Sequence, residues 1–477
     1  MEKVLEREPV KTGRFARAEG RSEERQLPDA PPLRKLLGPS VILVGVGVAS
    51  GEYILFPYIA SQAGLVFLWA AVIGVAVQFF INMEIERYTL ATGETAIGGF
   101  KRMWRPWGGI LAAGAILATM WPGWATSAAT VFTFAVGGGD PNLIAIGILF
   151  TIGVILTASP VVYNTVEKLQ FIKVGAILVF MVIAVFAAIK ATAWEDSTAV
   201  VTSFGSFPGE IQLAILVGAL AAAGAGGANN LVQSNWIRDK GFGMGKYVPR
   251  IVSPITGQEE AAPDAERLSF PTDEANMARW KVWWKTANVE QFVSFACIAT
   301  VTICVFSLLA YSTVFQNPDL PESSGFDFIS LEASVLDGAV GNWFGTMFLA
   351  VGAISLFAAA LGIVDYVSRL VADVLHTRES KWSESRMYFT IVWTMIVFGS
   401  AILLFGFDQP LVLLTISTVM GGAIMTVYTI LLLITNRRYL PDAIQLGGYR
   451  RVILVASVLL LGTCTVIVAL NEAKKLL

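Results

Sequence analysis

Eleven apolar runs, each about 20 residues long, constrain this chain more than any other feature of it. They fall at 38–61, 65–91, 108–136, 143–162, 171–191, 210–236, 289–313, 343–370, 387–407, 411–435 and 452–470. A helix of that length crosses a hydrocarbon core of ~30 Å, and within lipid only helices and closed barrels satisfy every backbone polar group. The runs are therefore read as transmembrane helices of an all-α membrane protein, the fourth and fifth joined by a short polar connection, "YNTVEK". Composition agrees: of 477 residues 55% are hydrophobic and 15% charged, with a mean hydropathy of +0.64.

The basic residues orient the bundle. If the N-terminus is cytoplasmic, all but Lys190, Lys474 and Lys475 of the 34 lysines and arginines fall on its side, Lys168 and Lys173 included. This asymmetry predicts a multi-pass protein of the cell membrane with its N-terminus in and its C-terminus out. Residues 1–36 mix charges with few apolar positions and are read as a disordered cytoplasmic tail rather than a signal peptide. The insertion 238–286 is read as cytoplasmic. It closes on "RWKVWWK", where Trp280, Trp283 and Trp284 among lysines suit a helix lying in the headgroup region. Its "GFGMG" has no Lys-Ser/Thr ending and makes no phosphate cradle. Cys297, Cys304 and Cys464 lie in apolar runs with no metal-ligand spacing.

An internal echo organises the spans. The first reads "ILVG" and then "ASGE"; the sixth reads "ILVG" and then "GAGGANN". Together they fit an inverted repeat of five helices plus five, 37–191 and 210–440, with an eleventh helix at 451–470. In such inverted-repeat bundles the first helix of each repeat is discontinuous, and its unwound part lies near the bilayer midplane. Glycine permits the break, and unwound backbone persists at that depth only beside protein or a wet cavity. The same small residues also permit close helix packing.

Several motifs then converge on one family. "GPSVILVGVGVASGEY", "RYTLATGE", "WATSAATVF", "NNLVQS" and "LLLITNRRYLP" occur from Gly38 to Pro441 in the order expected of helices one, two, three, six and ten. In this the chain resembles the Nramp (natural resistance-associated macrophage protein) metal transporters, a LeuT-like family. The resemblance implies inward movement of divalent transition metals coupled to protons. The site departs from the family's pattern. Ala49-Ser50-Gly51-Glu52 stands against Asp-Pro-Gly-Asn, and Gly226-Gly227-Ala228 against Met-Pro-His. Ser127 and Thr130 stand against the third helix's Asp and Glu, and Gly422 lies near the tenth helix's Gln. Loss of the thioether argues against Mn²⁺ or Fe²⁺ as cargo.

What remains is oxygen-rich. The substrate-site candidates are Ser50, Gly51, Glu52, Ser127, Thr130, Gly226, Gly227, Ala228, Asn229 and Asn230, with Glu52 and Asn229 as ligands if a cation binds, and Gln233 one turn further on. Glu52 has two readings: a cavity-facing ligand or proton carrier, or a cap on the amides of its own second half-helix. Asp365, Arg369 and Asp373 share a face of the eighth helix, and Glu84 and Arg87 lie three apart in the second. Each set is a simple ion pair or part of a coupling or gating network. Trp121 and Trp124 flank Pro122 as cavity wall or packing, and His376 sits at a helix end.

The expected function is a secondary transporter working by alternating access. The first choice of cargo is a hard divalent cation such as Mg²⁺, with protons as a candidate coupling ion. A carrier of a small organic solute and a non-transporting membrane sensor are the alternatives. No cofactor and no nucleic-acid partner is expected, and no nucleophile–base pair or zinc motif points to an enzyme.

Overall fold

A computed structural model describes residues 22–32, 37–253, 267–320, 325–376, 381–406 and 410–476. Among them are eleven helices long and apolar enough to cross a membrane: Pro39–Phe67, Trp69–Thr92, Pro106–Val136, Pro141–Ala158, Val162–Ala187, Leu213–Lys240, Glu274–Thr313, Phe344–Leu375, Glu384–Leu404, Pro410–Tyr439 and Gly448–Lys474. This is a multi-pass membrane protein. The apolar windows of the first and sixth spans are 94% and 89% buried, against 28% for the fourth and eleventh. The two spans that carry the glycine-rich breaks thus form the centre of the bundle, and the fourth and eleventh present their sides to lipid.

Both central spans are discontinuous. The first is helical over Pro39–Gly47, leaves helical geometry at Val48 (φ −63°, ψ 74°) and Ala49 (φ −158°, ψ −78°), and resumes as a π-turn, Ser50–Leu55, before Phe56–Ala63. The sixth is helical over Leu213–Ala222 and again over Gly227–Lys240. Between and at the start of the latter, Gly224, Gly226 and Gly227 have φ of +99°, +81° and +59°, which side-chain-bearing residues rarely adopt.

Four local readings are corrected. The "YNTVEK" connection is helical and forms the first turns of the fifth span. The break lies instead at Ser159, whose extended backbone (φ −78°, ψ 118°) is what a following proline imposes. The polar side chains of that segment find partners, Tyr163 donating to Glu167 (3.0 Å) and Lys240 pairing with Glu167 (2.6 Å). The "RWKVWWK" stretch is the start of the 40-residue seventh span, with Trp280 and Trp283 buried rather than lying on a membrane surface. Lys173, counted with the basic flank, is buried within the bundle and donates to the carbonyl of Gly45. The stretch 22–32, assigned by composition to a disordered tail, is packed. Strand β1 (Ser22–Glu24) pairs in parallel with β2 (Arg267–Ser269), Leu27 is buried, and Trp283 donates to the carbonyl of Pro28 at 2.7 Å. Partners distant in sequence supply what its composition lacked. The rest of the tail, and 254–266 of the insertion, lie outside the described residues.

Outside the spans, the helix Asp327–Val340 packs against the eighth span so closely that a Cβ on Gly345 would lie 2.1 Å from the carbonyl oxygen of Ala333. Glu332 of this helix is buried, and its Oε1 has no hydrogen-bond partner. Desolvation holds its carboxyl well above the usual carboxylate range. The folded protein therefore keeps this proton to a higher pH than the unfolded chain. Stability contributed by the neutral acid is complete below the unfolded value and is lost as pH rises through the folded one. Glu332→Gln is expected to flatten the decline in melting temperature as pH rises above the ordinary carboxylate range. Parallel melting curves for the two proteins would refute the assignment.

Candidate transport site

The two breaks meet. A Cβ on Gly47 would lie 1.8 Å from the carbonyl oxygen of Gly224, and one on Gly51 2.6 Å from that of Ala222. Both suggested roles of the glycines therefore hold, in different places: Gly47 and Gly51 permit close approach, while Gly224, Gly226 and Gly227 supply the backbone angles.

Other spans satisfy the backbone groups freed by the breaks, as burial requires. Gln78 of the second span is central. Its Oε1 accepts from the amides of Ala225 (3.1 Å) and Gly226 (2.8 Å) and from Asn230 Nδ2 (3.2 Å), and its Nε2 donates to the carbonyl of Ala221 (3.1 Å). Ser355 donates to the carbonyl of Val48 (2.7 Å), Tyr428 to that of Gly227 (3.0 Å), and Lys173 to that of Gly45. Gln78 is not among the site residues expected from sequence. Its signal was the pair of amides Gln78 and Asn82, four apart on one helix face inside an apolar run.

Glu52 bridges the breaks. It is fully buried, and its Oε1 accepts from the amide of Gly224 at 3.0 Å. It therefore caps the sixth span's break across the interface while the amides of Ala49 and of Glu52 itself also face the carboxylate, and by distance and angle its Oε2 has no hydrogen-bond partner. Lys173 lies within electrostatic reach. Beside this pair is a cavity of about 60 Å³ whose walls come from the first, third, sixth, eighth and tenth spans. Of the predicted substrate residues, Ser50, Gly226, Gly227, Ala228 and Asn229 line it. Gly51 packs against Ala222, and Asn230 turns to Gln78 and Asn82 (2.6 Å); Glu52 is not a lining residue, a correction to its reading as cavity-facing, because its carboxylate is drawn to the Gly224 amide. Ser127 and Thr130 are outside the wall and donate back to carbonyls of their own helix, Gly123 and Thr126.

Thr119, Tyr366, Ser417 and Thr418 line the cavity without having been anticipated. Scattered hydroxyls in apolar helices give no periodic signal, and only the packing turns them inward. Thr119 and Thr418 direct their protons to the carbonyls of Ala115 (2.7 Å) and Leu414 (3.0 Å), leaving lone pairs for the cavity. Asn229 Nδ2 donates to Leu43 O (3.3 Å) while its Oδ1 is unpartnered. Trp124 is a wall residue, and its indole N–H has no partner. Most of the lining is Ala, Gly, Val, Ile and Leu, and its polar side chains are five hydroxyls, the Asn229 amide and the Trp124 indole. No cluster of three or more His, Cys, Asp or Glu suited to a metal occurs among the described residues.

The predicted gating residues form two buried networks. Arg369 bonds both oxygens of Asp365 (2.8 Å each) and reaches Asp239 of the sixth span. Trp236 (3.1 Å) and Tyr388 (2.7 Å) donate to the same Asp365. Asp373, on the same helix face, instead accepts from Thr95 (2.6 Å). Glu84 is bonded by Arg87 (2.6 Å) and Arg450 (3.2 Å), and the Trp284 ring faces Arg87 at 3.8 Å. Neither is a simple surface pair. His376 only follows the last turn of the eighth span.

Two central helices broken at the same level within an eleven-span bundle define the LeuT-like fold, the architecture of a class of membrane transporters. No protein-family model and no curated protein matches the chain in sequence. Solved structures share its fold. A mutant of the Eremococcus coleocola manganese transporter superposes with a TM-score of 0.65 at 13% identity, over 94% of this chain and 89% of that one. MhsT in complex with L-phenylalanine gives 0.54 at 14% identity, over 90% and 97%. Mhp1, a nucleobase-cation-symport-1 family transporter in a closed conformation, gives 0.52 at 13% identity, over 91% and 93%. The fold implied by the Nramp resemblance is thus the fold found.

Proposed function

We propose that the chain is a secondary transporter that carries a hard divalent cation such as Mg²⁺, rather than Mn²⁺ or Fe²⁺, by alternating access between two five-helix repeats. The observation that carries this reading is the cavity at the junction, where Asn229 Oδ1 is an unpartnered buried acceptor among five hydroxyls and the Trp124 indole, with Glu52 Oε2, outside the lining, a second unpartnered acceptor at the break. Oxygen without sulfur or imidazole suits a hard cation. The volume also favours an ion: about 60 Å³ admits a few waters, as a cation keeping part of its hydration shell requires. Sites for drug-sized organic ligands usually run to ~300 Å³ or more. The manganese transporter supports the scaffold, and the departures at positions 49–52 and 226–228 support a different cargo on it.

In this reading the N-terminus is cytoplasmic, Glu52 is the candidate carrier of a coupling proton, and the Asp365–Arg369–Asp239 and Glu84–Arg87 networks hold the inner gate. In proteoliposomes, uptake of Mg²⁺ is expected to saturate and to depend on pH, and Glu52→Gln is expected to abolish uptake. Mn²⁺ uptake is expected to be absent, so saturable micromolar Mn²⁺ transport would overturn the choice of cargo. Thermal stabilisation by a small organic compound, with no response to divalent cations, would identify an organic-solute carrier instead.

A further inference from the structure

A second constellation lies away from the breaks, towards the Pro39 end of the first span. The hydroxyl of Ser40 contacts both Glu290 Oε2 and Gln291 Oε1 of the seventh span, and Gln233 Nε2 of the sixth donates to the same Gln291 Oε1 at 2.9 Å. Ser40 is 1% exposed, Gln233 and Gln291 0%, and Glu290 6%. The Ser40 hydroxyl has one proton for these two acceptors, Ser294 also bonds Glu290, and the Gln291 amide nitrogen is left without a partner. Two further oxygens, Glu290 Oε1 and Gln233 Oε1, have no hydrogen-bond partner at all.

The charge balance points the same way. Glu86 of the second span is buried within electrostatic reach of Glu290, and its Oε2 is also unpartnered. Lys240 faces Glu290 electrostatically but is held at 2.6 Å by Glu167, with its ammonium over the Tyr163 ring. Among the described residues, no lysine or arginine forms an ion pair with Glu86 or Glu290. Buried carboxylates without a counter-charge are costly, and an unfilled oxygen set beside them is what a cation would complete.

We propose that Ser40, Gln233, Glu290 and Gln291 form a second site for a hard metal cation, ligated by oxygen, with Glu86 adding charge beside it. The site rests on the carrier reading for the identity of its ion, which would be the cargo after it leaves the central cavity. Its position gives it a mechanical consequence. Ser40 lies on the first half-helix of the first span and Gln233 on the second half-helix of the sixth, so an ion there ties together the half-helices that flank the breaks.

The test is equilibrium binding of Mg²⁺ to the purified full chain in detergent. Wild type is expected to bind at two classes of site. Glu290→Gln should weaken one of them about tenfold or more, while the binding class removed by Glu52→Gln persists. Ser40→Ala and Gln233→Leu, which leave the charge untouched, should weaken the same class if Glu290→Gln fails to fold. Wild-type Mg²⁺ binding in folded Glu290→Gln, or in both folded substitutes, would overturn the site. Failure of the carrier reading looks different: proteoliposomes would take up no Mg²⁺ while Glu290-dependent binding remained.

Discussion

Gly47→Ala is expected to yield a protein that no longer folds to a single monodisperse species. The added Cβ would lie 1.8 Å from the carbonyl oxygen of Gly224 and 2.8 Å from Cα of Ala225, and both are backbone atoms that no rotamer change can move aside. The first and sixth spans must then separate where they cross, which pulls the Gly224 amide from Glu52. The expected cost is roughly 3 kcal/mol or more, the upper range of overpacking. Size-exclusion profiles and thermal unfolding provide the measurement, with Gly109→Ala as control, since nothing lies within 4 Å of its added Cβ. A Gly47→Ala protein melting like wild type would mean that the breaks do not touch.

Arg369→Met carries the second large effect. The guanidinium and its partners Asp365 and Asp239 have no exposed side-chain surface. Removing the cation leaves Asp365 without a counter-charge and Asp239 with only the 3.4 Å contact from Arg238, a loss of about 3–5 kcal/mol by comparison with other broken buried pairs. Combining Arg369→Met with Asp365→Asn and Asp239→Asn is expected to recover much of that stability, because the uncompensated charge goes with it. Denaturant or thermal unfolding of the single and combined variants distinguishes this from simple loss of packing, which the combination would leave unrepaired.

Much of this architecture was legible in the residues because a bilayer imposes a length. Runs of about 20 apolar residues read directly as spans, and all eleven appear in the structure. The two central breaks were legible for a local reason: "ASGE" and "GAGGANN" interrupt apolar runs at matching places, whereas the interruption of the third span between Thr119 and Gly123 was read as continuous helix. Errors arose where tertiary partners replaced the expected solvent. Lys173 scored as a flanking positive charge because a sequence count does not see that the Gly45 carbonyl awaits it inside. The "YNTVEK" segment looked like a loop because its polarity is satisfied by a pair with Lys240, 73 residues away from Glu167.

The site divides in the same way. Ser50, Gly226, Gly227, Ala228 and Asn229 could be placed at the cavity from sequence, since they are contiguous with the breaks and the break is a local event. Gln78, Thr119, Tyr366, Ser417 and Thr418 could not, because each depends on how a regular helix is rotated against its neighbours. The direction of Glu52 likewise became known only when the Gly224 amide was found opposite it. By itself, then, the sequence determined the number of spans, the two points where helices break and the chemical poverty of the site in sulfur and imidazole, since all three are properties of contiguous residues. Which oxygens share a cavity, which charges are paired and which stand uncompensated was decided by tertiary packing alone, because hydrogen bonds and ion pairs join residues that no local pattern relates.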